Sequence, residues 1–335
     1  MTRAVLVVGG AGYVGGHTCK ALARAGFLPV VLDDFSTGHA AFTRWGPAVT
    51  ADIRDTGLVE ATLRRFHCTA VLHFAAHALV GESVTDPAKY YGNNVVGTLS
   101  LLAAMRAAGC DALVFSSTCA VYGQPAQVPI VEETRPDPIN PYGASKLMVE
   151  RVLTDFRAAY GLRSYALRYF NACGADPDGE IGESRDPETH LIPRAMMALQ
   201  GHVTDFAMFG SDFDTPDGTA IRDYIHVTDL ADGHLAALTR LLDGAPGGVF
   251  NLGTGRGHSV REVLRAIGDE TGMALPRVVG ARRPGDPAVL VANPARARQE
   301  LRFTPVHSDL PTIIRTAWAW HRRAHPRRDG PPDTC

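Results

Sequence analysis

The run PYGASK places Tyr142 and Lys146 four residues apart, separated by Gly, Ala and Ser. On a helix such a pair shares one face, with Cβ atoms about 5–6 Å apart. A phenol with a pKa of about 10 is a poor base at neutral pH. A cation within about 4–6 Å stabilises the phenolate and lowers that pKa by about 1–3 pH units. The pair is therefore equipped to pass a proton to and from a substrate hydroxyl. The same spacing lines many ordinary helices, so its chemistry depends on what the rest of the chain brings to it.

The elements that must position the pair are legible as a rhythm. Ala4–Val8, Val30–Leu32, Ala70–Phe74, Ala112–Ser116 and Ser164–Tyr169 are apolar runs, the pattern of parallel strands covered on both faces. Helical stretches near 12–25, 55–66, 87–108 and 141–160 alternate with them. This predicts an α/β fold, a Rossmann-type doubly wound parallel sheet. Pro141 suits a first helical turn and places Tyr142 and Lys146 on a helix. After Asn171 the texture changes. Ala172–Asp186 is rich in Gly, Pro and Asp and reads as an irregular loop. Helices near 190–200 and 228–242, a strand near 205–209 and a helix capped by Ser259 with Glu262 follow. The division is 1–171 for the sheet domain, with 222–252 partly interleaved, 172–325 for a smaller α/β lobe, and 326–335 as a Pro- and charge-rich flexible tail.

Composition sets outer bounds. The chain has 335 residues, 45% hydrophobic and 20% charged, with a formal net charge of −2. That balance offers no electrostatic case for nucleic acid or an anionic membrane. Cys19, Cys68, Cys110, Cys119, Cys173 and Cys335 are scattered without a C-x-x-C pair, so neither a disulfide framework nor a metal site is expected. The opening apolar run is too short for a secretory signal, and no segment approaches the ~20 apolar residues of a membrane span. The expected location is the cytoplasm.

The first strand runs directly into Gly9-x-x-Gly12-x-x-Gly15, at the start of a helix. Such glycines allow a tight turn, close approach of backbone to a pyrophosphate, and close helix–strand packing. The helix N-terminus offers free N–H groups to the phosphates, which predicts a dinucleotide site. Asp33, followed by Asp34, closes the second strand about twenty residues on. A carboxylate there binds ribose hydroxyls and repels a 2′-phosphate, favouring NAD over NADP. Asp52 and Ile53 follow the third strand and are candidates for the adenine edge; a plain turn fits them nearly as well.

Taken together, the glycine loop, Asp33, Asp52-Ile53, HFAA at 73–76, NN at 93–94, SST at 116–118 and YGASK resemble the extended short-chain dehydrogenase/reductase superfamily. YFNACGA (169–175), PETHLIP (187–193), DGTAIRDYIHVTDLADGH (217–234), NLGTG (251–255) and RRPGD (282–286) are similar to UDP-glucose 4-epimerases, over nearly the whole chain to about residue 325. This resemblance implies NAD bound by the first domain, a UDP-sugar bound by the second, and a homodimer joined through two helices per subunit. It implies reversible epimerisation at carbon 4 of UDP-glucose and UDP-galactose through a 4-keto sugar. Tyr142 would exchange the 4-hydroxyl proton, Lys146 would hold the nicotinamide ribose and, with the cationic nicotinamide, lower the Tyr142 pKa, and Thr118 would bridge sugar oxygen and proton path. Gly9, Gly12, Tyr13, Val14, Gly15, Asp33, Asp34, Asp52, Ile53, Phe74, Ala75, Ala76, Asn93, Ser116 and Tyr169 would line the cofactor. Asn171, His190, Leu191, Arg222, Arg283 and Asp286 would hold the UDP moiety, and Leu290 would limit pocket volume.

The departures carry information. Related dehydratases place Asp-Glu after the active-site Thr, and decarboxylase relatives keep the Glu; here Cys119-Ala120 follow Thr118. A lysine that contacts NAD after HFA in some bacterial epimerases is missing from HFAAHALVGES. At the gate position a Tyr excludes N-acetyl sugars and a small residue admits them. Leu290 is intermediate, so UDP-N-acetylhexosamines and UDP-pentoses stay open as substrates. A non-catalytic NAD-sensing protein is the reading from another class, disfavoured because Tyr142, Lys146 and Thr118 are all retained.

Overall fold

The computed structural model describes residues 2–275, 278–283 and 285–326. Pro284 of the RRPGD run, and the predicted tail from residue 327 on, lie outside the described residues.

Seven parallel strands form the central sheet. From edge to edge the order is Gly247–Leu252, Arg163–Tyr169, Ala112–Thr118, Ala70–His73, Ala4–Val8, Leu28–Asp33 and Ala48–Thr50. Alternate side chains of one strand enter opposite cores. Leu6 and Val8 pack with Leu101, Val149 and Leu153, under the helices Gly97–Ala108 and Pro141–Tyr160. Val5 and Val7 pack with Leu22, Leu230 and Leu238, under the helices Tyr13–Arg24 and Val227–Leu242. Both faces are thus apolar, which is why the strands read as continuous hydrophobic runs rather than alternating ones. Each fully buried Leu or Val contributes about 1.5–3 kcal/mol relative to exposure.

From Ala4–Val8 the chain winds first to one side, through Leu28–Asp33 and Ala48–Thr50, and then to the other, beginning at Ala70–His73. The strand order reverses between Ala4–Val8 and Ala70–His73. Ligands of such sheets lie outside the carboxyl ends of the strands at that reversal. The loops after both strands, Gly9 onward and Phe74–Ala76, meet there.

The smaller lobe is built on Ile221–His226, which pairs with Gly257–Ser259, Val289–Leu290 and Asn171–Cys173. Helices Leu191–Leu199, Val260–Thr271 and Leu310–Ala324 enclose its core around Met196, Ile267 and Ile313. Ser259 and Glu262 form the predicted reciprocal cap.

Two expectations need correction. The stretch 87–108 is not one helix: Pro87–Tyr90 is followed by a π-helical turn, Tyr91–Val96, before Gly97–Ala108. Within this turn Asn94 bonds His77 and Ser145 of the Tyr142 helix, and π turns are frequent at functional sites. The segment 172–186 is largely irregular, but its start belongs to a strand because Asn171–Cys173 finds a partner in Tyr224–His226, distant in sequence.

Candidate active site

Gly9 takes φ +80°, and a Cβ there would lie 2.8 Å from Ala75 Cα. A Cβ at Gly15 would overlap the Gly9 carbonyl oxygen. Only glycine lets the loop, the first helix and the Phe74–Ala76 loop close on one another. The helix starting at Tyr13 is capped by Gly12 with no side-chain acceptor and carries no acidic residue in its first turn. Its N-terminal amides and positive dipole end stay available for phosphate, so the residues present fit a dinucleotide. Val14 lies half-buried in that first turn. The Tyr13 hydroxyl points away from the loop and donates to Gly174 O at 2.6 Å.

Asp33 sits at the strand end, buried, accepting from Ala11 N and Phe35 N at 2.9 Å each. Burial pushes its pKa up, and those two amides pull it back. Asp34 is exposed and caps its own turn through Ser36 N. Asp52 is held by Arg54, whose hydrogen bond lowers its pKa. Ile53 is buried against Gly97, where a Cβ would approach within 2.7 Å. Phe74 stacks at a tilt on His234, ring centroids 4.7 Å apart, with Ala75 and Ala76 following it out of the strand. Asn93 Nδ2 donates to Asn94 Oδ1 at 3.1 Å.

Tyr142 and Lys146 lie on the first turns of Pro141–Tyr160, opened by the Asn140 cap and Pro141. That helix lies flush on the turn after Thr118, since a Cβ at Gly143 would be 2.6 Å from Ala120 O. Lys146 is 3% exposed and donates to Ser116 O at 2.8 Å. Its Nζ is 6.0 Å from the Tyr142 ring centroid. The Ser116 hydroxyl bonds the Tyr169 hydroxyl, and Thr118 caps the following turn through Ala120 N. Sequence-distant Tyr142, Lys146, Ser116, Thr118 and Tyr169 are thereby gathered at the carboxyl end of the sheet.

The electrostatics differ from the sequence expectation. Burial pushes Tyr142 up to about 12, opposed by the Thr118 hydroxyl. Burial also brings Lys146 down to about 7, opposed by Glu150. Desolvation dominates both shifts, because each charge would be buried with little compensation. Without the cationic nicotinamide that was expected to act with Lys146, the protein disfavours the phenolate and leaves Lys146 titrating near neutral pH.

On the other side, Asn171 is exposed at the start of its strand and Leu191 opens the next helix. His190 Nδ1 meets Glu183 Oε1 at 2.6 Å. Arg222 is buried and its guanidinium pairs with Asp286 at 2.5 Å, so these two substrate candidates are joined to each other. Arg283 is exposed, its cation 4.4 Å from the Phe209 ring. Leu290 pairs in register with Arg222 and packs on the cluster of Cys119, Tyr122 and Phe170, beside Thr118.

Three groups escaped sequence reasoning. Asn94 is buried and joins His77 N, His77 O and Ser145 Oγ, tying the π turn to the Tyr142 helix. Glu150 forms a buried ion pair with Arg168 and accepts from Ser117 Oγ at 2.5 Å. Its i+4 spacing from Lys146 was the available signal. Glu183, Arg185 and Glu188 surround His190. Burial works to raise Glu183, but His190 and Arg185 outweigh it and hold it low, whereas burial and the Glu183 charge raise Glu188.

Known proteins resemble the chain over almost its full length. A UDP-glucose 4-epimerase of Rhizobium leguminosarum bv. trifolii is 53% identical over 321 residues, covering 96% of this chain and 98% of that protein. The crystal structure of UDP-glucose 4-epimerase from Brucella ovis in complex with NAD is 55% identical with a TM-score of 0.93, covering 95% and 98% of the two chains. That from Bifidobacterium longum in complex with NAD+ and UDP is 35% identical with a TM-score of 0.92, covering 97% and 99%. With residues 5–253, the whole span from first strand to last strand of the sheet, matching the NAD dependent epimerase/dehydratase family, the chain belongs to that family.

Proposed function

We propose that this protein interconverts UDP-glucose and UDP-galactose at carbon 4, using tightly held NAD. The observation that carries the reading is the convergence of Tyr142, Lys146 and Thr118 beside the glycine loop, with Cys119 and Ala120 rather than carboxylates next to Thr118. NAD, when bound, supplies the reversible two-electron oxidant at carbon 4 and adds positive charge beside the phenol. Tyr142 Oη takes the 4-hydroxyl proton in one half-reaction and returns it in the other. Lys146, anchored on Ser116 O, presents its ammonium to the ribose side and to Tyr142. Thr118 Oγ1 orients the sugar oxygen. Without an acid beside Thr118, elimination of water has no proton donor, so the keto sugar is returned as an alcohol.

In this reading residues 1–171, with Val227–Leu242 and Gly247–Leu252, bind the cofactor, and the rest of 172–325, whose sheet includes Ile221–His226, binds the UDP-sugar. Arg222, Arg283 and the Asn171 and His190–Leu191 segments grip the nucleotide, leaving the hexose free to turn over, and Asp286 exchanges its bond to Arg222 for the uridine ribose. Guanidinium groups suit that task because they fork onto phosphate oxygens. Leu290 leaves a medium-sized pocket, which supports secondary turnover of UDP-N-acetylhexosamines or UDP-pentoses.

Exposed Leu99 and Met148, 41% and 47% accessible on Gly97–Ala108 and Pro141–Tyr160, support a homodimer across those two helices. No helix among the described residues is long and apolar enough to cross a membrane. The five described cysteines are free thiols, which supports a reducing, cytoplasmic setting. The test is initial rates of the purified protein on a panel of UDP-sugars. UDP-glucose and UDP-galactose should be fastest; a strong preference for UDP-N-acetylglucosamine would overturn the substrate assignment, and no turnover of any would overturn the reaction.

A further inference from the structure

The segment Gly174–His190 runs between Asn171–Cys173 and Leu191–Leu199 of the smaller lobe, yet it also bonds to the sheet domain. Tyr13 Oη donates to Gly174 O, and Lys20 Nζ reaches Asp176, Asp178 and Glu180 at 2.7, 2.8 and 2.6 Å. Both residues belong to the helix that follows the glycine loop. Next, His39 Nε2 meets Ser184 O at 2.9 Å. The carbonyl can only accept, so the ring nitrogen donates. His39 N in turn donates to Ala11 O of the glycine loop. The third attachment is the helix Leu310–Ala324. Trp320 Nε1 donates to Glu183 O at 2.9 Å, Gly182 lies flat on the indole where any Cβ would clash, and Ala175 N donates to Thr316 Oγ1 at 3.2 Å. The indole also meets Phe42 edge-on, centroids 5.9 Å apart.

The segment is thus a strap, pinned at the glycine-loop helix, at the turn after Asp33, and at the C-terminal helix. It lies along the flank of the glycine-loop helix, where Ile181 approaches Gly16, and reaches the turn after Asp33, so it braces the two elements expected to hold the dinucleotide. We propose that Trp320 and Lys20 are positioning residues that pin this strap and set how slowly NAD leaves. The inference rests on the reading that the glycine loop holds NAD. An epimerisation returns its cofactor in the starting oxidation state, so release serves no turnover. A strap that must unpin before the dinucleotide departs ties the exit rate to a local opening. Lys20 is 5% exposed and neutralises buried Asp176, so its loss leaves that carboxylate, among the described residues, without a cation and with only the Glu180 N–H donating to it.

The experiment follows NAD loss from the holoprotein after dilution into an enzyme that destroys free NAD, together with deuterium exchange of 174–190. Trp320→Phe keeps an aromatic ring and removes the N–H to Glu183 O. It should speed NAD loss about 3- to 10-fold, the effect of losing one neutral hydrogen bond, while kcat at saturating NAD stays near that of the parent. Lys20→Met should speed it further and raise exchange in the strap; if it fails to fold, Trp320→Phe carries the test. NAD loss within about two-fold of the parent in every folded variant would overturn the proposal, as would an equal fall in kcat at saturating NAD. A parent that neither carries nor binds NAD would instead remove the function reading, and this one with it.

Discussion

At the scale of single residues, burial disfavours the charged forms of both Tyr142 and Lys146. The phenol is pushed up to about 12 and the ammonium down to about 7, both by burial. Two outcomes follow. Tyr142→Phe should retain NAD, because the backbone cradle at Gly9–Gly15 is untouched, and lose about 10²–10⁴ in kcat, the range for removing a general acid–base. Absorbance of bound nicotinamide and a coupled UDP-galactose assay would check both halves; near-parental kcat would remove Tyr142 from the proton path. The second outcome concerns pH. Below pH 7 Lys146 is protonated in folded and unfolded chains alike, and the folded state bears the full cost of a buried charge. As pH rises from 7 toward the unfolded value of about 10.4, the folded state has lost its proton and the unfolded state has not, so stability rises with pH. Urea unfolding of cofactor-free protein at pH 7 and pH 9.5 should show the parent gaining on Lys146→Met; an unchanged difference would mean that Lys146 is not desolvated.

At the scale of elements, the helix Pro141–Tyr160 is registered against the end of Ala112–Thr118 by three attachments one turn apart. Gly143 touches Ala120, Lys146 bonds Ser116 O, and Glu150 bonds Ser117 Oγ and Arg168. The first two residues and Tyr142 were recognisable from PYGASK. Glu150 was not, because a Glu four residues after a Lys normally marks a solvated helix face, and its partner Arg168 lies on a different strand. Both side chains are about 5% exposed. Glu150→Gln should lower unfolding free energy by about 3–5 kcal/mol, the cost of orphaning a buried cation. Chemical denaturation measures it directly, and a loss under about 1 kcal/mol would show that Arg168 finds another acceptor. The π turn at Tyr91–Val96 was illegible for a related reason. Its residues, YGNNVV, are weak helix formers but none specifies a π turn, and Asn94 reaching His77 and Ser145 is a contact made only in the fold.

At the scale of the whole molecule, the two lobes are interwoven rather than strung in series. Gly247–Leu252 returns from the smaller lobe to complete the central sheet, and Val227–Leu242 covers one face of it. The strap and the C-terminal helix add a second tie near the glycine loop. The opposite face presents Leu99 and Met148 to solvent. Leu99→Glu should halve the mass seen by sedimentation equilibrium while UDP-galactose turnover persists, since burying a charge in an apolar interface is unfavourable. A parent protein that is already monomeric would remove the homodimer.

What the sequence determined by itself was local chemistry and rhythm. The apolar runs specify buried parallel strands, the glycine spacing specifies a backbone that approaches phosphate, and Tyr142 with Lys146 specifies a proton-passing face. Each of these is a property of a few consecutive residues, so spacing suffices to reveal it. Only the tertiary structure decided the rest. It sends Glu150 inward to Arg168, ties Arg222 to Asp286, hangs the 174–190 strap from Trp320, and desolvates the Tyr142–Lys146 pair so that the phenol is pushed up and the ammonium down. Those outcomes depend on burial and on partners tens to hundreds of residues away, and desolvation is set by the whole fold rather than by any motif within it.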